Sequence, residues 1–130
     1  MGALGSAVAL VAGAGLGWAS AQAVRRLEGR SGVVASGVGL VGAAVIYPAA
    51  RREIGSGVAV EAAVLAAAAA LTAVAAKADS ATGRRLVAAG WASHALFDFL
   101  QGPSDDSRLP GWYAPVCAGY DVAYAARLAA

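Results

Sequence analysis

The feature that most constrains this chain is where its charges fall. Long apolar stretches alternate with short charged ones, and the charges cut the sequence into five pieces: Ala3–Val24, Val33–Ala50, Gly57–Ala76, Leu86–Gln101 and Gly111–Ala130. A bilayer core about 30 Å thick needs about 20 predominantly apolar residues per helix, and each piece approaches that length. Hydrophobic residues make up 59% of the chain and charged ones 14%. A soluble domain is roughly 25% charged, so the expected class is all-α: a single polytopic membrane bundle over residues 1–130. The alternative is four spans with an interfacial C-terminal helix, because the fourth and fifth pieces are short and carry charge.

The remaining composition mainly excludes. Cys117 is the only cysteine, which removes an internal disulfide. The net charge of +2 does not call for a nucleic-acid partner, because the basic residues sit in loops, where they set orientation. With five spans, Arg25, Arg26, Arg30, Lys77, Arg84, Arg85 and Arg127 fall on one side, and Arg51, Arg52 and Arg108 on the other with Asp105 and Asp106. The positive-inside rule then places the N-terminus outside and the C-terminus in the cytoplasm of a bacterial-type inner membrane. The first apolar stretch lacks the basic start of a cleaved signal peptide. Met1-Gly2 with Ser6 fits a myristoylation pattern only loosely, and a multi-span chain needs no such anchor.

Helices in lipid associate through close van der Waals contact, which small residues spaced by four allow. Gly5, Ala9, Gly13, Gly17 and Ala21 form one such stripe, and Ser31, Ala35, Gly39 and Ala43 a second. Spare Gly/Ala faces would also suit a homo-oligomer. Gly17-Trp18-Ala19-Ser20 recurs as Gly90-Trp91-Ala92-Ser93, and each copy reaches a glycine twelve residues after its first, at Gly29 and Gly102. That pattern would fit an inverted repeat of the kind transporters use.

Four ionisable residues fall inside the spans: Glu61, His94, Asp98 and Asp121. A carboxylate at the centre of a span costs about 2.5–3.5 kcal/mol on the insertion scale, so such residues point to function and need partners. At 1.5 Å per residue all four lie within roughly 14 Å of the outer boundary. His94 and Asp98, four apart, share a helix face with Trp91, while Cys117, Asp121 and Tyr124 share a face of the next helix. The connection between those helices carries Pro103 and Pro110 and is short enough to make them antiparallel neighbours. The expected pocket therefore holds Glu61, His94, Asp98 and Asp121 as catalytic candidates, with Glu61 alternatively reaching water or meeting Arg51 or Arg52. Tyr47, Trp91, Phe97 or Phe99, Cys117 and Tyr124 are its substrate-binding candidates.

Burial disfavours the ionised form of a carboxyl and crowding adds to this, so part of the cluster is expected to be neutral and able to donate a proton. With His94 as base or relay and aromatic walls, such a site suits acid-initiated chemistry on a lipid-soluble substrate. The four polar residues could also be read as a nitrogen and oxygen ligand set, but one histidine without a paired ligand motif argues against a metal, and no cofactor is expected.

Glu61, Asp98 and Asp121 beside His94 in a small helical membrane chain resemble the integral-membrane terpene cyclases of meroterpenoid and indole-terpenoid pathways. The resemblance rests on residue types, chiefly over residues 91–121, and implies metal-free, proton-initiated cyclisation of an isoprenoid with an Asp or Glu as the acid. The sterol isomerases that set His and Glu within helices are similar to the same degree. Two other classes remain open: a proton-coupled transporter or channel, with the carboxylates as relay, and an accessory subunit of a membrane complex, in which the polar residues pair off with no cavity among them.

Overall fold

The computed structural model describes residues 1–130. It is all-helical, with α1 Ala3–Val24, α2 Gly29–Ala49, α3 Val58–Lys77, α4 Ser80–Leu100 and α5 Tyr113–Ala129. Helices α1, α2 and α3 are long and apolar enough to cross a membrane.

The boundaries differ most at α4, which begins at Ser80 rather than Leu86. Asp79 caps its start, its carboxylate accepting from the Thr82 amide at 2.9 Å. This is a standard N-terminal signal, so Arg84 and Arg85 lie in the first turns of a helix rather than in a loop. Helix α2 likewise starts at Gly29, before the apolar run does. At its far end α4 stops where Gly102 takes a left-handed φ of 62°, a conformation glycine adopts without strain.

Helix α1 packs chiefly on α5, α2 on α3, and α4 on α5, α3 and α2, while α1 and α2 barely touch. The first small-residue stripe is buried at Ala9, Gly13, Gly17 and Ala21, and its partner is within the chain. A Cβ on Gly13 would run into the backbone of Val116, one on Gly17 into that of Tyr120, and one on Gly119 into that of Leu10. Gly13 faces Val116, Gly17 faces Tyr120 and Gln22 bonds Arg127, so α1 and α5 run parallel, with backbones close enough to exclude side chains.

The second stripe is displaced. Helix α2 buries Val33, Ser36, Gly37, Leu40, Ala44 and Tyr47, whereas Ser31 and Gly39 are exposed. The inward face carries the larger Leu40 and Tyr47, and Tyr47 reaches Asp98 and Phe97 of α4. The two copies of Gly-Trp-Ala-Ser sit in unlike surroundings: Trp18 is 50% exposed and Trp91 4%. Their closing glycines, Gly29 and Gly102, are nevertheless the two residues with positive φ.

Two loops meet at one end of the bundle. The amide of Arg52 donates to the Asp106 carbonyl at 3.1 Å, and that of Arg108 to the Ala50 carbonyl at 2.9 Å. Residues 101–112, joining α4 to α5, are thereby pinned to the α2–α3 turn. At the opposite end Arg25 donates to the carbonyls of Arg127 and Ala130, at 2.9 and 2.7 Å, satisfying the last acceptors of α5.

Candidate functional site

Helices α4 and α5 bring three ionisable side chains together, and α2 adds a phenol. His94 and Asp98 sit one turn apart on the inward face of α4, and Asp121 faces them from α5. The His94 Nδ1 lies 2.8 Å from Asp121 Oδ2 and 3.7 Å from Asp98 Oδ2. The Tyr47 hydroxyl donates to Asp98 Oδ1 at 2.5 Å. All four residues are buried.

Each connection uses a residue the local helix had to place. Tyr47 is in the last turns of α2, next to Pro48, which lies within the helix. Phe97 and Tyr113 pack their rings edge-on against Tyr47, with centroids 5.3 and 5.9 Å away, and this fixes the phenol's direction toward Asp98. Phe97 also tilts against His94, at 5.9 Å. Tyr113 was not among the candidates read from sequence. Its spacing of four from Cys117 and eight from Asp121 was the available signal, because it puts all three on one face of α5.

Two buried polar atoms of the cluster have no hydrogen-bond partner, His94 Nε2 and Asp98 Oδ2. Buried polar atoms are ordinarily paired, and one left unpaired costs on the order of 1–3 kcal/mol. The pattern is asymmetric: one nitrogen of the imidazole is held by a carboxylate and the other is free.

His94 also borders an apolar groove of about 450 Å³ between α3 and α4, with Leu40 of α2 in its wall and open where Ala67, Ala89 and Ser93 are exposed. Val64, Ala67, Ala68 and Leu71 line it from α3, and Ala89, Gly90, Ser93, His94 and Phe97 from α4. The Ser93 hydroxyl is turned back to its own helix, donating to the Ala89 carbonyl at 2.8 Å. His94 is the lining residue with an unpartnered polar atom, Nε2, and that atom is itself closed off from the groove. Pockets for small molecules have this character, mostly apolar with few polar groups, at volumes of about 300–1,000 Å³.

The other expected members lie elsewhere. Glu61 does not join the cluster. It pairs with Arg51, Nε to Oε2 at 2.5 Å and Nη2 to Oε1 at 3.1 Å, and Arg51 also reaches Asp106 Oδ1 at 3.2 Å. A carboxylate at the first turn of α3 has a cation within reach, and that pairing outweighs any gain from joining two further carboxylates. Trp91 and Tyr124 belong to a separate packing unit: their rings lie 4.5 Å apart, the Trp91 indole donates to the Ser36 carbonyl at 3.1 Å, and Ser36 and Tyr124 exchange a hydrogen bond at 2.9 Å. Neither lines the cavity beside His94, and Cys117, half-buried on α5, does not line it either.

One nitrogen and two carboxylate oxygens within 4.8 Å of one another make this the place in the chain where ligand-type side chains converge. The hydrogen bond to Asp121 occupies Nδ1, the nitrogen that faces the carboxylates, and Glu61, the fourth ligand suggested by sequence, is held by Arg51. The arrangement is that of an oriented imidazole. No protein-family model matches the chain, and no curated protein or solved structure does.

Proposed function

We propose that this protein is a membrane-embedded acid/base enzyme that moves a proton on an uncharged, lipid-soluble substrate. All five helices cross the bilayer in this reading, with the N-terminus outside and the C-terminus in the cytoplasm. At 1.5 Å per residue, the 21 residues of α4 reach roughly 30 Å and the 17 of α5 roughly 25 Å, and the charged side chains they carry inward are paired with one another.

The observation that carries the reading is the division of labour on His94. Asp121 holds Nδ1, the ring borders an apolar cavity, and Nε2 has no partner. A carboxylate on one nitrogen fixes the tautomer and stabilises the imidazolium that forms when the other nitrogen takes a proton. In the proposed step Nε2, reached when the side chains of the groove move aside, removes a proton from a carbon beside a carbonyl or double bond. The electron pair moves into that π system, and a proton, exchangeable with water while it sits on His94, returns either to the same carbon or to the far end of the π system. Nothing is consumed, and the outcome is an isomerisation. Asp98 supplies a second carboxylate to the imidazolium and is itself held by Tyr47.

Isomerisation fits better than cyclisation. Stabilising a carbocation calls for aromatic faces, and Phe97 is the one aromatic residue in the cavity wall; Trp91 and Tyr124, expected there from sequence, pack on Ser36 instead. The accessory-subunit reading required every polar group to be paired off without a cavity. That description fits Glu61 and not His94.

The test uses an isoprenoid ketone. With the protein in lipid nanodiscs in heavy water, geranylacetone should gain deuterium beside its carbonyl, read by mass spectrometry. General acid–base catalysis contributes about 10²–10⁴-fold, so His94→Gln should lower the rate by at least about a hundredfold. Equal rates in the wild type and His94→Gln would overturn the reading.

A further inference from the structure

We propose that Arg25 and Arg84 form a binding site for a phosphate group, carried by a lipid headgroup or free in solution, at the end of the bundle away from His94. A small pocket lies there between the α1–α2 turn and the start of α4. Arg25, Ser80 and Arg84 give it a polar side, Leu27, Val33 and Leu128 an apolar one, and no carboxylate lines it. Burial, and then the charges of Arg127 and Arg84, push the Arg25 guanidinium below its ordinary value, so these cations lie close enough to repel one another. At the other end of the bundle the same problem is solved within the chain, where Arg51 is paired with Glu61 and Asp106. Here no acid is supplied. Neither Arg25 nor Arg84 pairs with an Asp or Glu side chain, and Asp79, beside Ser80 in sequence, turns its carboxylate to the Thr82 amide. Two converging guanidinium groups without a counter-ion call for an anion from outside the chain.

The donors are set in place and uncommitted. Arg25 spends only Nη1 on the Arg127 and Ala130 carbonyls, which fixes the side chain and leaves Nε and Nη2 of the same fork unengaged. Arg84, half-buried in the pocket wall, enters none of the side-chain hydrogen bonds of the fold. Planar guanidinium forks hold phosphate oxygens two at a time. Gly29, with a left-handed φ of 61°, brings the start of α2 beside that of α4, so that a Cβ on it would stand 3.9 Å from Ser80 Oγ. The first turn of α2 has no side-chain cap, and its free amides add to the donors facing an anion. Donors thus converge from α1, α2 and α4, which suits a tetrahedral oxyanion better than a planar carboxylate. Leu27, 49% exposed, offers an acyl chain an apolar path beside the same pocket.

The test is a scintillation proximity measurement on the whole chain in dodecyl maltoside micelles, in about 0.5 M salt to screen diffuse attraction. Dioleoylphosphatidylglycerol labelled with ³³P and ³³P-phosphate are titrated separately. Saturable binding of the lipid that inorganic phosphate does not displace assigns the headgroup, whereas saturable binding of phosphate itself, or displacement of the lipid by it, assigns the free anion. In either arm Arg84→Gln, which breaks no contact within the fold, should weaken binding by roughly tenfold or more, the scale of a lost charge-assisted hydrogen bond. Arg26→Gln removes the same charge from an exposed residue outside the pocket and should change binding by less than roughly twofold under that screening. Equal losses in the two variants would reveal diffuse attraction alone and overturn the site. Saturable binding of neither probe to the wild type would overturn it as well.

Discussion

The Tyr47 hydroxyl and the Asp98 carboxylate, from helices that are not neighbours in sequence, meet at 2.5 Å in the interior. The bond ties α2 to α4 beside His94, and it is the one hydrogen bond that the Asp98 carboxylate accepts in a wholly buried position, Oδ2 having none. Replacing Tyr47 by Phe keeps the ring that packs on Phe97 and Tyr113 and removes only this donor. Leaving a buried acceptor unpaired costs on the order of 1–3 kcal/mol, so Tyr47→Phe should be destabilised by about that amount in reversible unfolding from detergent micelles. Unchanged stability would mean that the bond contributes nothing net.

The two aspartates should separate in their effects on proton transfer. Asp121 holds Nδ1 at 2.8 Å, whereas Asp98 stands at 3.7 Å. Asp121→Asn should therefore reduce deuterium exchange into geranylacetone by about a hundredfold or more, as loss of an orienting carboxylate does, and Asp98→Asn by clearly less. A larger loss in Asp98→Asn would assign the orienting role to the wrong carboxylate.

Substitutions at the α1–α5 seam should sort by what a new Cβ meets. At Gly13, Gly17 and Gly119 it meets rigid backbone of the facing helix, while at Gly15 and Gly42 nothing lies within 4 Å. Gly119→Ala should lower stability by about 1–3 kcal/mol, the usual effect of overpacking. Gly15→Ala and Gly42→Ala should be neutral or raise it by up to about 1 kcal/mol through helix propensity. Unfolding curves of the set check the contrast directly.

At the loop end, acid should release the 101–112 connection. The Ser104 hydroxyl, chiefly, and the Arg51 charge hold the Asp106 carboxyl below its ordinary value of 3.8. A carboxyl depressed in the folded state stabilises above its unfolded value, and that contribution is lost as pH falls through the folded one. Pepsin cleavage within residues 101–112 should therefore accelerate in the wild type only once pH falls below 3.8. Asp106→Asn should be cleaved faster than wild type above that point and converge with it below. A constant ratio across the acid range would show that Asp106 does not hold the loop.

Much of the fold was legible because charge placement and hydrophobic length act locally. The bounds of α1 follow from them directly. The start of α4 was misread because Arg84 and Arg85 look like loop residues until the Asp79 cap is recognised. The pairing of His94 with Asp98 needed only a spacing of four, and Asp121 only a short connection between two helices. For Glu61 depth favours the cluster and charge favours Arg51 or Arg52 across the turn, and the structure takes the second. The outward set of Ser31 and Gly39 was hidden: which of two adjacent stripes on α2 faces inward depends on Leu40 and Tyr47 finding room, and that is decided by the neighbouring helices.

The parallel seam between α1 and α5 bears on how the molecule is made. Helix α1 is made before α2, α3 and α4, yet its extensive partner is α5, and α2 gives it almost no contact. Asp121, which completes the polar cluster, rides on that same helix. The glycine stripe of α1 therefore stays unmatched until α5 has been made, and the cluster closes in the same event that docks the two helices. A chain stopped before Asp121 would have neither a closed bundle nor an oriented imidazole, so the making of α5 sets both the packing of α1 and the competence of the site.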